Sequence, residues 1–191
     1  MVKLMKVTAT REVFPWILLW HRCTWAIEDA AANEESQYLS IFSALLCAFT
    51  LEAFLNQLLR FRFPNDWRKY ERKATPSQKL ARFGASLDFR ADRSRRPFSS
   101  FKDIFSFRND LAHAKPVQLA RTFNYPVEAF LAARKVPPIP RTSWDSALTL
   151  KKARNWHEDT RAMIQSLYQA ADMGDDPFHE AYSTIQWSGT L

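Results

Sequence analysis

Residues 36–61 read SQYLSIFSALLCAFTLEAFLNQLLRF, 26 positions without a glycine or a proline. Ile41, Leu45, Ala48, Glu52, Leu55 and Leu59 recur at three- and four-residue steps, with Leu46, Phe49, Ala53 and Asn56 beside them. That period is helical, and Pro64 ends the run. A helix this long and apolar must be covered by others or by lipid. Its stretch 39–59 is the chain's best transmembrane candidate, but Glu52, Asn56 and Gln57 interrupt it. A buried helix of a soluble protein is therefore expected, with no membrane partner.

The rest of the chain agrees with a helical body. There are three glycines, Gly84, Gly174 and Gly189, in 191 residues. All-β folds need glycine for their turns, and phosphate-cradling loops need several glycines together. Ten prolines leave four long stretches uninterrupted. The first helix is expected over 14–32, with Trp16, Trp20, Cys23, Ile27 and Ala30 on one face. The third is expected over 99–113, with Phe101, Ile104, Phe105, Arg108, Leu111 and Ala112 sharing a face before Pro116. The fourth is expected over 143–173, capped by Ser143, striped by Leu148, Trp156, Met163, Ile164, Leu167 and Ala171, and followed by Gly174.

Four such helices with short breaks predict an all-α fold, an antiparallel four-helix up-and-down bundle. The chain reads as a single domain, 1–191, with its core over 14–173. An insertion, 62–98, lies between the second and third helices, and a Pro-rich connection, 115–141, between the third and fourth. Within the insertion, ATPSQKLARFG predicts a short helix: Thr75 caps, Pro76 takes the first position, Gln78 returns the bond and Gly84 closes it. The tail, 174–191, starts acidic, and Trp187 is expected to tether it.

Charge is unevenly placed. Residues 60–96 hold twelve Lys or Arg and four Asp or Glu, so one segment accounts for the whole net charge of +7. A concentrated basic patch suits a polyanion. Arg93, Arg95 and Arg96 are the expected phosphate contacts, in a stretch with no apolar anchor but Ala91, and Lys115 joins them beyond the third helix. Cys23 and Cys47 sit in apolar helices and read as buried reduced thiols. No secretory signal is read in the first ten residues, and the expected compartment is the cytoplasm.

Of the four histidines, His21 and His157 read as surface or edge residues and His179 is given no role. No pair has metal-ligand spacing, so neither a metal nor another cofactor is expected. His113 differs by its company, FRNDLAHAKP over 107–116. Asn109 and His113 are one turn apart on the same face. Arg108 and His113 are five apart, offset by about 140° on an ideal helix, which a long arginine can span. A helix C-terminus favours a cation, and histidine there can act as base or acid. A guanidinium beside it can hold phosphate and stabilise charge building on its oxygens. These parts suffice to cleave RNA without a metal. The base takes the 2′-hydroxyl proton, the 2′-oxygen attacks phosphorus, and the 5′-oxygen leaves. The products are a 2′,3′-cyclic phosphate and a 5′-hydroxyl.

The hexapeptide Arg108-Asn109-Asp110-Leu111-Ala112-His113 resembles the R-x4-6-H signature of the HEPN superfamily, in which the residue after the arginine is typically polar. FTLEAFLNQLL, 49–59, resembles the long second helix of many members, and TPSQKL, 75–80, resembles a stretch in those carrying an insertion there. The resemblance implies a small helical bundle, usually a homodimer with the two motifs facing across a cleft. It implies a metal-independent endoribonuclease of the toxin–antitoxin, phage-defence or CRISPR kind, with a cognate antitoxin or regulatory protein as a further partner. Arg108 and His113 would then be catalytic, Asn109 would assist, and Glu52 would orient Arg108. The alternative it implies is a catalytically inactive module that binds RNA or a partner protein. Toxins of this kind paired with a nucleotidyltransferase typically carry tyrosine two residues after the histidine. Lys115 stands there, so control by adenylylating that tyrosine is not expected.

Overall fold

The structure is a computed structural model that describes residues 6–33, 37–114, 148–179 and 183–190, with 6–10, 37, 179 and 183–190 through the backbone alone. It is mostly helical. Helices α1 (Pro15–Ala32), α2 (Gln37–Arg62), α3 (Trp67–Lys73), α4 (Pro76–Leu87), α5 (Ser100–Ala112) and α6 (Leu150–Ala170) follow one another, and a short 3-10 turn covers Pro177–His179. Strands β1 (Lys6–Val13) and β2 (Ser183–Thr190) pair antiparallel, from Lys6 opposite Thr190 to Val13 opposite Ser183. The helical reading of the sequence did not include this ribbon. Its β-branched residues, Val7, Thr8, Thr10 and Val13 against Thr184 and Ile185, favour the extended backbone.

α1 and α2 run antiparallel. Trp16, at the start of α1, meets Phe54 edge-on at 5.1 Å and donates to Gln57 Oε1 at 2.6 Å, near the end of α2. Halfway along, the Cys23 and Cys47 Sγ atoms lie 3.4 Å apart, both thiols free and buried. Burial pushes the Cys47 thiol well up, as a charge there would have no water. α6 closes the body, with His157 stacked on Trp20 at 4.2 Å and Trp156 edge-on to Phe107 of α5 at 5.6 Å. Each fully buried Trp, Phe or Leu of this core contributes roughly 1.5–3 kcal/mol of transfer free energy.

α2 is long and apolar enough to cross a membrane by length and composition, yet 56% of its apolar window is buried inside the protein. Its core side is Ala44, Cys47, Leu51, Phe54 and Leu58. The stripe expected from the sequence overlaps this side only in part. Ala48, Leu55 and Leu59 of that stripe are buried as expected, but Ile41 and Leu45 are only partly buried, and Phe49 beside it is exposed. The helix is apolar almost all round, so periodicity alone did not choose the face.

Two helix ends also differ from expectation. α6 begins at Leu150, where Thr149 Oγ1 accepts from Lys152 N at 3.2 Å, and Ser143 lies outside the described residues. In α4 the capping box forms as read: Thr75 Oγ1 accepts from Gln78 N, and Thr75 N donates to Gln78 Oε1 at 2.8 Å. Gly84 does not close that helix. It lies inside it, where a Cβ would come within 2.6 Å of the Phe89 carbonyl oxygen, and Asp88 at φ 49° makes the turn. Trp187 falls in β2, its side chain outside the described residues.

Candidate functional site

Phe101, Ile104, Phe105 and Phe107 bury one side of α5 and fix its rotation. Arg108, next along, is therefore held at the boundary of the core, while Asn109 and His113 face solvent. Arg108 Nη2 donates to Glu52 Oε2 of α2 at 2.9 Å. The guanidinium also lies over the Phe105 ring, 5.6 Å from its centre. Its Nε is buried with no hydrogen-bond partner among the described residues.

Glu52 faces a second cation. Lys79, from α4, is 1% exposed, and its Nζ donates to Asn56 Oδ1 at 2.7 Å and stands 3.9 Å from Glu52 Oε1. Burial lowers the Lys79 pKa from its ordinary value, Glu52 and Glu71 act to raise it, and Arg108 lowers it further. The result is one polar cluster drawn from three helices: Asn56 and Glu52 from α2, Lys79 from α4, Arg108 from α5. Lys79 shares its helix face with buried Leu80 and Phe83. That face buries the lysine, and the polar groups one turn apart on α2, with Glu71 of α3, make its burial tolerable.

His113 sits at the C-terminal end of α5, where its backbone N–H closes onto Asn109 O at 3.0 Å. Among the described residues, no hydrogen bond joins the His113 or Asn109 side chain to Arg108. The structure thus joins Arg108 to Glu52 and leaves Asn109 and His113 on the adjoining exposed turn. Lys115 lies outside the described residues.

The three arginines of the insertion separate. Arg93 is exposed, 6.0 Å from the centre of the Phe101 ring. Arg95 is exposed and lies 3.8 Å from Asp92. Arg96 is committed to the protein: Nε donates to Asp159 Oδ1 at 2.8 Å, and Nη2 to Asn155 O at 3.2 Å and Glu158 Oε2 at 3.3 Å. Ser100 donates to the same Asp159, which is buried. Arg96 thus differs from Arg93 and Arg95 in being paired with a buried carboxylate, while its side chain is still 52% exposed. Sequence alone gave no sign of this, because Asp159 is 63 residues away on α6.

His157 lies partly buried, at the edge rather than on the open surface. Its ring stacks on Trp20, and Nε2 is 3.0 Å from Thr24 Oγ1. Burial, with Arg161 nearby, lowers its pKa to about 4. No family model matches the chain, and no curated protein or solved structure matches it either.

Proposed function

We propose that the chain is a single-domain, metal-independent endoribonuclease of the HEPN kind. In this reading α1, α2, α5 and α6 form an antiparallel four-helix up-and-down bundle, and α3 and α4 belong to the basic insertion. The protein acts on RNA in the cytoplasm as a homodimer, in a toxin or defence setting, under an antitoxin or regulatory protein.

The observation that carries the reading is the Arg108–Glu52 pair at 2.9 Å, one turn from an exposed histidine at the helix end. An arginine held by one N–H retains other donors for phosphate oxygens, and its orientation is already fixed. His113 would take the 2′-hydroxyl proton. Arg108 would stabilise the pentacoordinate phosphorus, and Asn109 would position the phosphate.

A mixed RNA substrate incubated with the protein in EDTA tests this, with His113→Ala and Arg108→Ala alongside. Cleavage that survives EDTA, leaves cyclic phosphate ends and disappears in both variants is the expected result. Cleavage by His113→Ala at the wild-type rate would overturn the mechanism. One observation favours a second reading: Arg108 is engaged by Glu52 and Phe105 rather than by His113. If RNA is bound but not cut by any of the three proteins, the chain is an RNA- or protein-binding module.

A further inference from the structure

The end of β1, the start of α1, the last turns of α2, α3 and the end of α6 line an open cavity of about 820 Å³. That volume suits a small organic molecule. Four aromatic side chains from four segments line it: Phe14, Phe61, Trp67 and Tyr168. Phe61 is exposed although it is large and apolar. The lining charges are Glu12, Glu71, Asp172 and Arg60, with Arg68 over the Trp67 ring at 5.6 Å and the buried Lys79 behind Asn56. Arg60 bridges Glu12 at 3.3 Å, so that pair is balanced. Glu71 already acts on the buried Lys79, and Asp172 makes no ion pair among the described residues.

The sign matters because the chain as a whole is strongly basic, at +7. Carboxylates outnumber cations among the lining residues, and Asp172 is the one left for a ligand, so a cation is favoured there over an anion. Carboxylates combined with aromatic faces provide the two attractions an organic cation needs, Coulombic and cation–π. The wall is also fixed in place. Gln57 accepts from Trp16, and Asn56 accepts from the buried Lys79.

We propose that this cavity binds a small organic cation, an ammonium group carried on an aromatic or alkyl body. Asp172 meets the ammonium, and Trp67 and Phe61 cover the body. The site uses neither Arg108 nor His113, so it stands or falls apart from the ribonuclease reading.

Three probes that share an indole and differ in charge provide the test: tryptamine, tryptophol and indole-3-acetate, titrated calorimetrically into the full chain. Saturable binding of tryptamine is expected, at least about tenfold tighter than tryptophol, with indole-3-acetate weakest. Asp172→Asn and Trp67→Leu should each weaken tryptamine severalfold. Asp172 is exposed, so its variant should melt with the wild type and keep the test valid if another fails to fold. Absence of saturable tryptamine binding overturns the proposal. So does equal binding of the three probes, or undiminished binding by folded Asp172→Asn.

Discussion

Glu52 answers two cations at once, and the pair of contacts sets what its loss should do. Removing the carboxylate leaves Lys79 buried with the Asn56 oxygen and the charge of Glu71, and leaves Arg108 without its anchor. Glu52→Ala should destabilise the fold by about 2–4 kcal/mol, with Glu52→Gln costing less, measured by urea denaturation. Lys79→Met should remove a pH dependence. The folded pKa of Lys79 is lowered, so on the alkaline side the unfolded chain binds the extra proton. Wild-type stability should then gain from this group as pH rises toward the ordinary lysine value of 10.5, and the variant should lack that gain. His157 gives the acid-side counterpart. Its folded pKa is about 4 against 6.5 ordinarily, so the stability it supports is full above 6.5 and lost as pH falls to 4. Denaturation across that window should show a loss of about 1–2 kcal/mol from this ring, allowing for its partial exposure. His157→Phe, which keeps the stack on Trp20, should flatten it.

At the scale of elements, Gly84 separates propensity from packing. An alanine inside a helix ordinarily gains up to about 1 kcal/mol over glycine. Here the added Cβ meets backbone, the Phe89 carbonyl oxygen at 2.6 Å, which cannot rotate away. Gly84→Ala should therefore lower stability, by about 1–3 kcal/mol, read from the thermal midpoint. The sequence marked this glycine as special but assigned it the wrong task, because the chain segment that crowds it lies beyond the turn at Asp88. Elsewhere the elements were legible wherever local chemistry decides them. The buried face of α1 and the box at Thr75 and Gln78 are such cases. α2 was legible as a helix but only in part in its orientation, since nearly every face is apolar. The Arg108–Glu52 contact was anticipated from resemblance. Lys79 was not, because a buried lysine can be recognised only from the groups on other helices that receive it. The β1–β2 ribbon joins residues from 170 (Val13 and Ser183) to 184 (Lys6 and Thr190) positions apart, beyond the reach of any local pattern.

At the scale of the whole molecule, the basic insertion divides into cations that build the fold and cations that face water. Lys79 and Arg96 belong to the first group, one under Glu52 and the other on Asp159. Arg93 and Arg95 belong to the second, with only an aromatic ring at 6.0 Å and an exposed Asp92 at 3.8 Å beside them. A count of charges along the sequence merges the two groups, but salt dependence separates them. Each phosphate contact to single-stranded RNA contributes about 0.7 to the slope of log affinity against log salt. Arg93→Ala and Arg95→Ala should each reduce that slope by about this amount and leave the melting temperature near wild type. Arg96→Ala should do the reverse. It strips the buried Asp159 of its cation, so stability should fall by about 1–3 kcal/mol while the slope holds. Filter binding of a labelled single-stranded RNA at several salt concentrations, with a melting curve for each protein, measures both quantities. If Arg96→Ala flattened the slope with an unchanged melting curve, the Asp159 bridge would not be what holds that arginine. If Arg93 and Arg95 left the slope untouched, RNA would have to be met elsewhere on the surface, and the local charge of the insertion would be only a solvated face.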